Sequence, residues 1–390
     1  MKRRARKVWA VSAALGLLLA ALARAGDARA QDEPAVAERE ALALSKPLSL
    51  RWAFETNDTV NLTPALGDGA VYLPLVGGAL VSLRTGDGRL VWKTDMGGAI
   101  SAAPAADARG VYVASESVLP GGEAAAAPRV AGALRALGSQ SGVTLWMRTL
   151  TAPLRGALVA DERALYGGAE DGRLYALKKE TGELLWVSQF PAPFQSRPVL
   201  RDGRLYVGGE DGTLHAVDRA TGRTLWRYRT RKALRAPVAL DGDMVFAGST
   251  DGSVYAISDR TGRLVWSART GGSVQSVVSA GKSLLVTSLD NFVYSVSPRR
   301  GRRLWKRLLA GRVSASPLVV SDAVLLAPLS GDECPVLDLD DGKKINSVHV
   351  GEDNNTGASP LLQGNLILLT TRKGLIAYSG QTASAGHRPD

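Results

Sequence analysis

Cysteine is almost missing from this chain of 390 residues, where Cys334 stands alone. One thiol excludes an internal disulfide, so the fold must stand on its core. No patterned histidine accompanies Cys334, which reads as a small apolar core residue rather than a nucleophile. Histidine is nearly as scarce: His215, His349 and His387 show no metal-ligand spacing, which argues against a zinc site. No Gly-x-Ser-x-Gly elbow and no Gly-x-x-x-x-Gly-Lys phosphate loop occurs, which removes two large enzyme classes. No copy of the chain's internal repeat carries a helical period long enough to compete with strands.

The formal charge of +11 suggests a nucleic-acid partner until it is located. Seven of the 48 basic residues but only one of the 37 acids lie in residues 1–30, so the remainder carries an excess of only about +5. That is modest for a chain of this length, and no nucleic-acid partner is expected. The basic start (Lys2 to Lys7) precedes an apolar run over 8–23, followed by Ala28-Arg29-Ala30. This is the layout of a secretory signal, and the run is short of the roughly 20 residues that span a membrane. Arg3-Arg4 lacks the apolar residues that a twin-arginine signal places next, so the general secretory route is expected. The organisation expected is a signal peptide over 1–30, a flexible linker over 31–47, a folded domain over 48–380 and a disordered tail over 381–390. Export to the periplasm follows, peripheral to a membrane at most.

What the chain does have is a ladder of tryptophans. Trp52, Trp92, Trp146, Trp186, Trp226, Trp266 and Trp305 are separated by steps of 40, 54, 40, 40, 40 and 39 residues. Such a period marks a repeat architecture. The copies 157–186, 198–226 and 237–266 each hold short β-rich runs divided by turn sequences of the Asp-Gly and Thr-Gly type. Asp-Gly between such runs signals a hairpin, because tight hairpin turns need positive φ. Each copy therefore predicts four antiparallel strands. Such a sheet cannot bury both faces alone, and radial packing of copies covers each face with the next sheet. The fold expected is an all-β propeller.

The ends of the repeat set the blade number. After the copy in which Asn346 takes the tryptophan slot, residues 359–380 supply three strands and no tryptophan strand. Residues 48–56 are a tryptophan strand with no partners before it. The first strand therefore completes the last blade and closes a ring of eight.

The repeated Asp-Gly, Leu-Tyr-Ala-Leu, Thr-Gly and Leu-Trp elements resemble the pyrroloquinoline-quinone-type propeller repeat, over residues 48–380. Within that family, the size, secretory signal and eight blades are similar to the BamB-type outer-membrane assembly factors. That resemblance implies a non-enzymatic periplasmic scaffold without a cofactor, a monomer within a complex. It would dock on a barrel-assembly protein and help to deliver unfolded outer-membrane clients. It also implies a partner-binding site at Leu154 and Arg155, within Leu154-Arg155-Gly156. Two departures stand out. The lipid-acceptor cysteine is absent, and the next loop, 191–197, carries no acid. The alternatives are a quinone-dependent dehydrogenase, whose adjacent cysteines are absent here, and another ligand- or peptide-binding propeller.

Several residues have bland readings beside sharper ones. His215 takes the slot of Tyr175 and Tyr255 in the flanking copies and reads as a packed ring. Asp171, Asp211 and Asp251 belong to turns. The basic run 226–235 reads as a charged blade edge that discourages strand pairing, or else as contact with an acidic partner. The recurring tryptophan reads as a staple between blades. The 54-residue step holds an insertion over 118–131, rich in Gly, Pro and Ala, which reads as a surface loop or a contact element.

Overall fold

The computed structural model describes residues 42–119, 129–320, 323–352 and 354–380. The expected signal peptide, most of the linker and the tail lie outside them. The described chain is an eight-bladed propeller of antiparallel sheets without helix. Blade 4 shows the pattern, with strands Val199–Arg201, Arg204–Gly208, Thr213–Asp218 and Thr224–Arg229 running from the axis to the rim. Its two middle strands are almost wholly buried, whereas the outermost alternates between exposed and half-buried. The middle strands are buried because blades cover them on both faces. Tyr206, Leu214 and Ala216 of blade 4 pack against Val245, Ala247, Tyr255 and Ile257 of blade 5. At roughly 1.5–3 kcal/mol per fully buried large apolar side chain, these layers hold the ring together. The Asp202-Gly203 hairpin has φ of 49° and 75°, the positive pair that a type I′ turn requires.

The tryptophan ladder is a set of joints. Each indole Nε1 donates to a carbonyl in the next blade, at 2.6–3.0 Å, on Thr85, Ser139, Lys179, Arg219, Asp259, Pro298 and Leu339 in turn. A glycine turn of that next blade packs against the indole, with Thr before the glycine at Gly182, Gly222 and Gly262. A Cβ on Gly222 would stand 2.6 Å from the Trp186 ring, and this glycine also has φ of 73°. Only glycine meets both demands. Side chains reinforce several joints: Lys179 pairs with Asp107, Arg219 with Asp161, and Asp259 with Arg201 and Arg204. Burial alone would raise the Asp259 carboxyl, but hydrogen bonds from Tyr206, Arg201 and Arg204 outweigh it and hold its pKa below the usual value.

Ring closure follows the expected scheme. Strand Leu48–Glu55 pairs antiparallel with Gly374–Gly380, placing Trp52 opposite Ala377, and completes blade 8 with Leu361–Gln363 and Leu366–Thr371. The propeller begins earlier than expected. Residues 42–47, assigned from sequence to the linker, include Leu42 and Leu44, which are buried with Leu325, Val336, Val348 and Ile367. Asn346, in the tryptophan slot, donates from Nδ2 to the carbonyls of Leu44 and Lys46 at 2.9 and 2.8 Å. Blade 8 has no Thr-Gly turn to offer this joint, and 42–46 takes its place.

Candidate functional site

In an antiparallel meander, the hairpin between the second and third strands and the crossover into the next blade's first strand meet at one end. That end of the ring gathers the irregular residues. Blade 2 carries the insertion there, as a hairpin of Gly110–Leu119 with Arg129–Gly138, each 10 residues long. The insertion read as a surface loop thus begins and ends as paired strand, with Ser117 opposite Ala131. Its residues 120–128 lie outside the described set.

Leu154 and Arg155 start the innermost strand of blade 3, Leu154–Ala160, beside that hairpin. Leu154 is 1% exposed and packs with Tyr112, Leu134 and Ala136 of blade 2, so it anchors the crossover from within. Arg155 is partly accessible and held by two carboxylates. Its Nη1 lies 2.8 Å from Glu116 on the blade 2 hairpin, and its Nη2 lies 2.8 Å from Glu170 of blade 3. Gly156 has φ of 72°, and a Cβ there would stand 2.7 Å from the Gln195 carbonyl of the next crossover. Loop 191–197 carries no acid, and the carboxylates beside Arg155 are Glu116 and Glu170. A second pair repeats the chemistry: Arg235 bonds Glu210 through two hydrogen bonds, at 2.9 and 2.8 Å. These hold its pKa above the usual value. Arg235 therefore belongs to a paired crossover. Arg227 and Arg229, in the same basic run, are exposed on the outermost strand of blade 4.

The innermost strands surround a cavity of about 690 Å³ on the axis. Its wall holds Pro64, Pro104, Pro237, Pro317 and Pro360, which remove backbone donors along the inner edges. It also holds Asn61, Gln195, Gln275, Arg197 and Arg235, but no carboxylate.

The remaining sequence candidates are structural. His215 is buried, with its ring 4.6 Å from Phe190 in an edge contact, and burial pushes its pKa down to about 4, so it is neutral. Cys334 is buried and its thiol is pushed up to about 12, which leaves no nucleophilic thiolate. Among the described residues, no cluster of three His, Cys, Asp or Glu could hold a metal ion. No described helix is long and apolar enough to cross a membrane.

A family model described as outer membrane protein assembly factor BamB matches residues 130–235 and 210–386. No curated protein matches the chain. Among solved structures, BamB from Moraxella catarrhalis is similar at 15% identity and a TM-score of 0.73, covering 86% of this chain and 100% of that one. A computationally designed protein, Ika8, gives 16% identity and a TM-score of 0.72, covering 85% and 99%. The quinohemoprotein alcohol dehydrogenase of Comamonas testosteroni gives 12% identity and a TM-score of 0.71, covering 90% and 79%. At such identities, likeness to an assembly factor, a design and an enzyme alike speaks for the fold alone.

Proposed function

The chain belongs to the BamB family of outer-membrane protein assembly factors, and from that premise we propose that it is a non-enzymatic periplasmic scaffold associated with the outer membrane. Its rigid ring presents one face to a protein of the barrel-assembly machinery. The observation that carries this reading is the coupling of the enlarged blade 2 hairpin to the Leu154-Arg155 crossover through Glu116. Two irregular features of the repeat are thereby fixed side by side on one face, where a partner could read them together. Because Glu116 and Glu170 already hold the guanidinium, a partner would meet a preorganised cluster with one excess negative charge rather than a free cation.

The rim supports a role in holding unfolded clients. The outermost strand of blade 3, Leu184–Gln189, carries no charge, and Leu184, Leu185 and Val187 are exposed on it. An uncharged apolar edge is a template for an added strand, whereas the arginines of blade 4 discourage one.

The dehydrogenase reading fares worse on the residues present. A quinone held on the axis with calcium needs carboxylate ligands for the ion, and none is among the described residues of the cavity wall. The residues do not fit that pair, and no reaction step is derived through it. The test of the scaffold is crosslinking and pull-down from envelope extracts, with Arg155→Ala as comparison. Recovery of a barrel-assembly protein, reduced in the variant, is the expected outcome. Failure to recover one, with normal outer-membrane protein levels in a deletion strain, overturns it.

A further inference from the structure

The axial cavity breaks the repeat at one residue. Each blade contributes a side chain two residues before the inner-strand residue paired to the third residue of its second strand. In all eight blades that residue lines the cavity: Thr63, Ala103, Ala157, Pro237, Gln275, Ser316 and Ser359 are uncharged, and the eighth is Arg197. Among the described residues, nothing forms an ion pair or a hydrogen bond with its guanidinium. The only other charge on the wall, Arg235, is a cation already matched by Glu210. The described lining thus carries one sign of charge, with a cation for which no described residue supplies a counter-ion.

From this arrangement we infer that the axial cavity is a binding site for a small hydrophilic oxyanion, a polycarboxylate or phosphate compound, clasped by Arg197. A guanidinium presents a planar fork of donors that matches two oxygens of a carboxylate or phosphate. Low-dielectric walls of one sign concentrate anions in the space they enclose. The amides of Gln195 and Gln275 and the hydroxyls of Ser314 and Ser316 line the same wall and offer further hydrogen bonds to a polar solute. A volume of about 690 Å³ falls within the range of small-molecule sites. Arg197 is exposed to solvent, so a solute that enters the cavity can reach its guanidinium. The inference stands independently of partner docking, since the docking cluster at Arg155 does not line the cavity.

The test is calorimetry and thermal unfolding of the full chain with citrate and with inorganic phosphate, against chloride at equal ionic strength. Citrate or phosphate is expected to bind and raise the melting temperature of the wild type. Arg197→Gln should weaken binding by at least about tenfold. In chloride the same variant should melt no lower than the wild type, because an unmatched cation has been removed. Arg227→Gln removes equal charge from the rim and should leave binding unchanged. No heat and no shift in the wild type, or equal weakening by Arg227→Gln, overturns the inference.

Discussion

Seven of the eight joints between blades are built alike, and the eighth is not. In the seven, an indole lies under a glycine turn of the next blade and donates to a carbonyl there. At the eighth, Asn346 donates to Leu44 and Lys46, and the apolar filling comes from Leu42 and Leu44 on a separate stretch of chain. The hydrogen-bonding role of the slot survives, but its burial role passes to other residues. A joint is therefore two separable tasks: satisfying the carbonyls of the neighbouring blade and covering apolar surface. Where the chain starts and stops, they fall to different side chains.

The strongest way to break this comparison is to remove the strand that closes the ring. Deleting 48–56 takes away the rim strand of blade 8 and with it Trp52, which bonds Thr85 of blade 1. The exposed ladder and lost core should replace one sharp thermal transition with an early, broad one. An unchanged melting curve would show that the ring does not depend on this closure.

A finer test sets one regular joint against the seam. Trp226→Ala removes the 2.6 Å bond to Asp259 and the ring packed against Tyr206 and Gly262. For a half-buried indole the cost should be about 2–4 kcal/mol. Asn346→Ala removes two hydrogen bonds but little apolar area, and should cost about 1–2 kcal/mol. Denaturant titrations of both variants measure the difference. Equal costs would mean that hydrogen bonding, not burial, dominates the regular joints.

The regular joints were legible in the sequence because their parts recur. Evenly spaced tryptophans with Asp-Gly and Thr-Gly turns needed no long-range information to be read as blades. The orphan strands at the two ends of the repeat also revealed the closure. The seam plug was not legible, because 42–46 has no counterpart in any other copy and its burial exists only once the ring closes. The candidate site was legible in half. Leu154-Arg155-Gly156 stood out, but Glu116 lies in the preceding blade and meets Arg155 only through packing. Arg197 was visible as a residue in 191–197, yet its meaning needs the register that aligns it with seven uncharged neighbours on the axis.

The smallest predicted effect concerns another departure, in the slot where Tyr175 and Tyr255 sit in the flanking copies. Tyr255 donates to Asp251 at 2.6 Å, whereas Nδ1 of His215 is buried without a partner. Burial lowers the His215 pKa from 6.5 to about 4, so the native ring stays neutral while the unfolded ring takes up a proton below 6.5. The contribution tied to the neutral ring is thus full above that pH, falls as pH drops through the interval, and is gone below the folded value. Between about pH 7 and about pH 5.5 the loss should be about 1 kcal/mol. His215→Tyr restores the phenol of the neighbouring copies and should flatten that part of the profile without changing the fold. Parallel urea titrations across that range would decide it. An identical acid response in both proteins would assign it to other groups, and would mean that this departure from the repeat costs the ring nothing on acidification.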